Sequence, residues 1–299
     1  MTSMLPQRHP ESDSGLWRRI FHGFHKIRQR ANWVDYAGQD WIERIMAEQV
    51  TDGFHAKQGR SIARWTLTNN TGATLVVYLK RHYVLPRWAG LLALLFPGRS
   101  YSPGLQEWDN LHKARAFGLP VPEPIAAGEM IATWGRMSSF LAVAELTDML
   151  PLHQAIPLAQ KQLTATAFRQ WKHALVQELA RLIHLMHDRH AYHKDLYLCH
   201  FYIRTGDTQT LVKDWHQRVT VIDLHRFGQH RLSSAWWWVK DLAQLLYSSE
   251  QEGVTLRDRL AFWKAYAGPG RSRSMLARLI RWKWRLYRRH NAKQKRKGR

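Results

Sequence analysis

The stretch HKDLYLCHFYI, residues 193 to 203, sets a lysine, an aspartate and two histidines inside an otherwise apolar and aromatic run. Asp223 closes a second apolar run, VTVIDLHR, 28 residues beyond Asp195. Far upstream, VVYLK ends on Lys80, and Glu107 lies in the helical pattern that follows. A carboxylate such as Asp195 can accept or orient a proton on a reacting hydroxyl if it lies within hydrogen-bond reach. A carboxylate at the end of a buried strand, as expected for Asp223, suits Mg²⁺, a hard cation that prefers oxygen. A lysine steadied by a glutamate offers a positive point charge to phosphate oxygens. Together these groups are what phosphoryl transfer to a hydroxyl requires. Each alone has a plainer explanation: Asp195 as a turn or cap residue, Asp223 paired with Arg226, Lys80 and Glu107 as ordinary surface charges.

The chain that must position these groups has 299 residues, 45% of them hydrophobic and 15 of them tryptophan, so a sizeable core is expected rather than disorder. Its single cysteine, Cys199, excludes an intramolecular disulfide, argues against a cysteine-based zinc site and fits a reducing compartment. The polar N-terminus, MTSMLPQRHPESDSG, lacks the apolar run of an export signal. The longest apolar stretch, WAGLLALLF from Trp88 to Phe96, is about half the length a membrane-spanning helix needs. No crossing of a bilayer is expected.

Charge narrows the partners. The formal net charge is +22, and a chain so basic seeks anions: nucleic acid, an anionic membrane face, a phosphorylated glycolipid or an acidic protein. From Arg271 to Arg299 there are 13 Lys or Arg and no acid, with Leu276, Leu279, Ile280, Trp282, Leu286 and Tyr287 spaced as one helix face. A second basic, aromatic stretch, LWRRIFHGFHKIRQR, lies near the start. Both read as interfacial helices with snorkelling cations; the alternative is that they pack on the body with their charges solvated.

Along the chain, residues 1–14 read as a loose tail and 16–30 as a helix. SIARWTLT and TLVVYLK flank the turn signal NNTG and predict a hairpin. QEWDNLHKARAFG has helical spacing and ends at Gly118, a plausible C-cap. The proline-rich LPVPEPIAAGE leads into a strand, FLAVAEL, and a long helix is predicted from about Leu158 to Arg189. FYIR and VTVIDL read as short strands, and the remainder as helical.

That order resembles a protein kinase-like fold: α+β, bilobal, with a small β-rich N-lobe and a mainly helical C-lobe. The expected division is a basic tail and amphipathic helix over 1–30, N-lobe over 31–146, C-lobe over 147–270, and a basic amphipathic helix and tail over 271–299. His193-Lys194-Asp195 falls where a kinase carries H-R-D-L-x-x-x-N, which would make Asp195 the base or hydroxyl-orienting group. Asp223 matches the D-F-G aspartate, here Asp-Leu-His, and would hold Mg²⁺. His200 stands where kinases use an asparagine as a further metal ligand, although imidazole suits Mg²⁺ less well. Lys80 matches the V-A-I-K lysine on the ATP phosphates, with Glu107 as its partner. Gly59-Arg60-Ser61 would form a reduced phosphate-covering loop, Glu145 and Leu146 would face adenine by position, and Asp241 would anchor the catalytic loop.

The blocks HKDLYLCHFYI, VIDLHRFGQHR and WWWVKDLAQLLYSS, together with QEWDNLHKARAFGLPVPEPIAAGE, are similar to signatures of the lipopolysaccharide kinase family of core heptose and Kdo kinases. The resemblance covers about residues 50 to 290. It implies ATP- and Mg²⁺-dependent phosphorylation of a sugar hydroxyl of the lipopolysaccharide inner core, by a peripheral protein on the cytoplasmic face of the inner membrane. The partners it implies are the core glycolipid and the anionic membrane surface; whether an acidic protein such as acyl carrier protein also docks on the basic face stays open in the sequence. Only 16 residues separate Asp223 from Lys240, too few for a long phosphorylated activation loop, so constitutive activity is expected. An aminoglycoside- or choline-type phosphotransferase would usually carry H-G-D, and a pseudokinase would not keep Lys80, Asp195 and Asp223. Nucleic acid is disfavoured as a partner because no recognised binding motif is present.

Overall fold

The structure is a computed structural model that describes residues 15–47, 59–268 and 273–296. It divides into two compact units, residues 1–113 with 122–146, and residues 114–121 with 147–299. The predicted tail over 1–14 lies outside the described residues.

The first unit holds α1 (Leu16–His22), β1 (Phe24–Gln29), α2 (Trp33–Ala37), α3 (Trp41–Arg44), β2 (Arg60–Thr68), β3 (Thr74–His82), α4 (Arg87–Leu95), most of α5 (Pro103–Ala116), β4 (Pro124–Ile131) and β5 (Met137–Ala144). Its strands form one antiparallel sheet in the order β1-β4-β5-β3-β2. The predicted hairpin is β2-β3, with Asn69 closing the turn by accepting hydrogen bonds from the Thr71 and Ala73 amides. Trp33, Trp41, Trp65 and Phe140 meet edge to face in the core on one side of this sheet, where large apolar area stabilises most.

Two expectations here are corrected. Residues 16–30 are not one helix: α1 stops at Gly23, whose φ of +70° and whose position against the Ile131 carbonyl, 2.2 Å from where a Cβ would sit, leave no room for a side chain. The chain then extends as β1 and pairs with β4, burying Phe24 and Ile27. PIAAGEMI, read as a proline-rich approach to a strand, is itself the strand β4, flanked by β1 and β5. Its small and apolar residues are buried on both faces, which removes the alternation that marks a half-exposed strand.

The second unit holds β6 (Met149–Pro151), α6 (Leu152–Gln162), α7 (Ala165–His187), β7 (Ala191–Tyr192), β8 (Phe201–Arg204), β9 (Thr220–Val221), β10 (Gly228–Gln229), α8 (Ser234–Ser248), α9 (Leu256–Ala267) and α10 (Arg273–Arg296). Two small sheets, β6-β8-β9 and β7-β10, bracket the 193–200 segment. The long predicted helix is two: Thr164 accepts a hydrogen bond from the Ala167 amide and caps a new start at Ala165. The stripe Leu175, Leu179, Leu182, Ile183 and Met186 is buried as its spacing requires. Helices α7, α8, α9 and α10 line an apolar pocket of about 370 Å³ that is open to solvent. Helix α10 packs along α8, burying Ile280 and pairing Trp284 and Arg288 with Glu250, while Trp282 and Leu279 stay exposed. The fold class is the expected one, α+β with a sheet-rich first unit and a mainly helical second.

Candidate active site

In the second unit, β7 ends at Tyr192 and the chain turns sharply, with Lys194 at φ +64°. A lysine in the left-handed region is strained and persists only where its surroundings enforce it. Asp241, fully buried on α8, does so: its Oδ1 accepts from the Lys194 amide at 2.8 Å and its Oδ2 from the His193 amide at 2.9 Å. Lys240 adds a hydrogen bond from its ammonium to the Lys194 carbonyl at 2.5 Å. Asp241 therefore has the anchoring role expected of it. Beneath it, His187 bonds the Tyr266 hydroxyl through Nδ1 at 2.7 Å. Burial lowers the pKa of both His187 and His193, so both imidazoles sit neutral within this support.

The turn delivers Asp195 to the surface side of the loop, half-buried, with Oδ1 accepting from Gln244 Nε2 at 3.2 Å. Gln244 is itself buried; it bonds the Leu196 amide and the Tyr197 hydroxyl, so the Asp195 carboxylate is oriented from α8. Gln244 stands three residues after Asp241 on the same helix face and lies outside the motifs that mark the other site residues in the sequence.

Asp223 follows β9 with φ +61° and ψ +54°. Its Oδ1 is 2.7 Å from His225 Nδ1 and its Oδ2 is 3.7 Å from His200 Nε2. His200 donates from Nδ1 to the Asp195 carbonyl at 2.7 Å and lies nearly parallel to the His193 ring, 5.4 Å away. With Nδ1 committed as a donor, Nε2 is the nitrogen that faces Asp223. Burial disfavours a charged His200, but hydrogen bonding to Cys199 and the Asp195 carbonyl, with the nearby Asp223 carboxylate, outweighs it and raises the pKa. His225, two residues past Asp223, is a further member that the sequence reading did not single out.

Asp195 and His200 of the 193–200 segment thus come together with Asp223, with one ligand atom from each lying within 4.8 Å of the others. Two carboxylates at this spacing fit a divalent cation, and the oxygen donors suit Mg²⁺. His200 is the weaker donor for that ion.

In the first unit, Lys80 near the end of β3 donates to Glu107 Oε1 at 2.7 Å, as the sequence reading expected. Glu107 is largely buried on α5. The start of that helix is fixed by fully buried Glu129 of β4, whose Oε1 accepts from the Tyr101 and Ser102 amides at 2.6 Å each. Glu129 is the residue whose positioning role the sequence concealed. Glu145 directly follows β5; its carboxylate takes a two-pronged bond from Arg64 at 2.6 and 3.1 Å, and its amide donates to the Val76 carbonyl. Leu146 is the last residue of this unit. The expected three-residue phosphate loop is corrected: Arg60 and Ser61 are strand residues paired with His82 and Arg81, and only Gly59, at φ +74°, lies in a turn. Its carbonyl accepts from the Tyr83 amide, which draws residues 60 and 61 into the ladder.

Comparison with known proteins finds relatives in sequence and in structure. The profile described as "Lipopolysaccharide kinase (Kdo/WaaP) family" matches residues 72–266. The lipopolysaccharide core heptose(I) kinase WaaP of Pseudomonas aeruginosa is 32% identical over 161 residues, which cover 54% of this chain and 58% of that protein. WaaP of Escherichia coli is 29% identical over 161 residues, with the same coverage, 54% and 58%. The chain spans little more than half the length of these curated relatives. A solved structure, WaaP in complex with acyl carrier protein, superposes with a TM-score of 0.65 at 25% identity, covering 88% of this chain and 99% of that one.

Proposed function

The chain belongs to the lipopolysaccharide kinase (Kdo/WaaP) family, and from that premise we propose that it transfers the γ-phosphoryl group of ATP to a heptose or Kdo hydroxyl of the lipopolysaccharide inner core. The observation that carries the proposal is the gathering of Asp195 and His200, from the 193–200 segment pinned by Asp241, with Asp223, which follows β9. Asp195, oriented by Gln244, is the group that receives and aligns the acceptor hydroxyl. Lys80, held by Glu107, meets the ATP phosphates as a fixed positive charge. Asp223 and His200 are the residues that would hold Mg²⁺, which when bound supplies charge neutralisation at the phosphates. No covalent intermediate on the protein is required. The work of these residues is positioning and electrostatics.

The proposed place of action is the cytoplasmic face of the inner membrane, where a peripheral protein of net charge +22 would meet both the glycolipid and an anionic leaflet. No described helix is long and apolar enough to cross a membrane. A further proposed partner is an acidic carrier protein: the solved relative is in complex with acyl carrier protein, and the described part of α10 offers basic side chains without an acid.

Incubation with Mg-ATP and dephosphorylated lipopolysaccharide core, followed by mass spectrometry of the sugar, tests the proposal. Transfer to a core sugar is expected. Tight ATP binding with transfer only to other hydroxyl compounds would overturn the assigned acceptor.

A further inference from the structure

The first unit also carries an exposed apolar surface assembled from three segments far apart in the chain: α1, α4 and the turn at residues 133–135. Trp17, Trp88 and Trp134 are 71, 63 and 64% exposed, a costly state for three of the largest apolar side chains. Trp17 stacks on Phe21 at 6.1 Å, and Phe21 meets Trp134 edge to face at 5.9 Å, so the rings form one patch across α1 and the turn. Helix α4 is apolar all round. Ala89, Ala93 and Leu94 pack inward on Phe24, Ile131 and Met137, while Trp88, Leu91 and Leu95 face outward. A helix buried on one side only should be polar on the other, and α4 has Arg87 as its single charge.

This surface is built, not incidental. Helix α4 lies against the turn so closely that a Cβ on Gly90 would fall 2.0 Å from the Gly135 carbonyl oxygen. Trp134 itself has φ +58°, a conformation strongly disfavoured for a bulky side chain. Strain held at a surface residue, where no core packing rewards it, points to a use for the outward ring.

Charge identifies what the patch meets. Arg18 on α1, Arg87 on α4 and Arg136 directly after the turn are exposed, and residues 15–34, 81–106 and 132–144 contain no acid at all. Tryptophans beside arginines, over an apolar helix face and without carboxylates, are the composition of a lipid interface: indoles at headgroup depth, aliphatic side chains at the acyl boundary, guanidiniums on phosphates. We propose that α1, α4 and the 133–135 turn form the face by which this protein rests on an anionic bilayer. The assignment rests on the proposed location at a membrane and names the surface responsible.

The test is sedimentation of the full-length protein with phosphatidylethanolamine vesicles, with and without phosphatidylglycerol. The variants are Trp17→Ser/Trp88→Ser/Trp134→Gly and Arg18→Gln/Arg87→Gln/Arg136→Gln. Partitioning should fall at least ~10-fold in the tryptophan variant. The arginine variant should lose roughly 100-fold, and only on phosphatidylglycerol vesicles. Trp134→Gly alone relaxes the backbone, so it separates weakened binding from a fold defect: it should bind less and melt no lower. Phosphorylation of a lipid-free core oligosaccharide should be unchanged in all three, so a failed kinase assay leaves the vesicle result readable. Undiminished vesicle binding in the tryptophan variant would overturn the proposal. So would loss of binding only on replacement of Leu279 and Trp282 of α10, or a wild-type dimer in vesicle-free solution that the tryptophan variant converts to monomer while vesicle binding persists.

Discussion

Replacing Asp241 by asparagine isolates the claim that one buried carboxylate holds the 193–200 segment in place. Its two oxygens accept from the Lys194 and His193 amides at 2.8 and 2.9 Å, and Oδ2 is 3.4 Å from His187 Nε2. Asparagine keeps the shape but turns one oxygen into an NH₂ group. Whichever way the amide faces, a donor is set against a backbone donor. Losing one bond to a charged group costs about 1.5–3 kcal/mol, and a buried N–H left unpaired costs about 1–3 kcal/mol; the two overlap, so a net loss near ~3 kcal/mol is expected. The strained Lys194 turn would relax and carry Asp195 with it, and a displacement of about 1 Å at a reacting group costs on the order of 100-fold in rate. Urea unfolding followed by tryptophan fluorescence reads the first quantity, and steady-state phosphate transfer the second. A variant within about 0.5 kcal/mol of wild type, with kcat lowered less than about twofold, would refute the anchoring role.

Lys80→Met should lower kcat/KM for ATP by roughly 10²–10³-fold with little change in the acceptor KM, and Lys80→Arg should not restore it, because the site facing Glu107 is shaped for an ammonium; ATP-dependent kinetics check this. Gly104→Ala places a Cβ 2.4 Å from the Phe140 carbonyl; overpacking of about 1–3 kcal/mol should shift α5, the helix that carries Glu107, and weaken ATP use alongside thermal stability. Lys172→Met should destabilise the second unit by about 3 kcal/mol, since the buried ammonium bonds Asp258 at 2.6 Å and the Gly253 carbonyl at 2.7 Å. Burial works to raise the Asp258 pKa, but hydrogen bonds from Lys172 and Thr255 outweigh it and hold it below the ordinary value. Its contribution is thus fully present above the unfolded carboxylate pKa of about 4 and is lost as pH falls through the folded value. Urea midpoints taken from pH 6 down to pH 3 should fall more steeply in the wild type than in Lys172→Met.

The placement of the candidate site residues was more legible in the sequence than the scaffold. Lys80, Glu107, Asp195, Asp223 and Asp241 each stand at a strand end, in a helix or in a turn, and local pattern marks such places well. Their geometry bears this out where it is local: the Lys80–Glu107 pair and the Asp241 clasp both form. What stayed hidden depends on partners distant in sequence. Residues 24–29 look helical until β4 is supplied as a neighbour, and β4 itself looks like a linker because burial on both faces erases its alternation. Glu129 is invisible for the same reason, since nothing near it in sequence says that the Tyr101 and Ser102 amides lie opposite. Gln244 and His225 carried a local signal, one three residues past Asp241 on a helix and one two residues past Asp223, but neither belongs to the expected motif set.

The central claim is that Asp195 and Asp223 serve one phosphoryl transfer to a core sugar. The most direct measurement gives Mg-ATP and dephosphorylated lipopolysaccharide core to wild type, Asp195→Asn and Asp223→Asn, with the product sugar analysed by mass spectrometry. The account predicts one added phosphate on a heptose or Kdo with the wild type and a loss of at least ~10³-fold in each variant, with ATP binding retained in Asp195→Asn. Transfer by either variant at the wild-type rate, or no ATP binding by the wild-type protein, would contradict it.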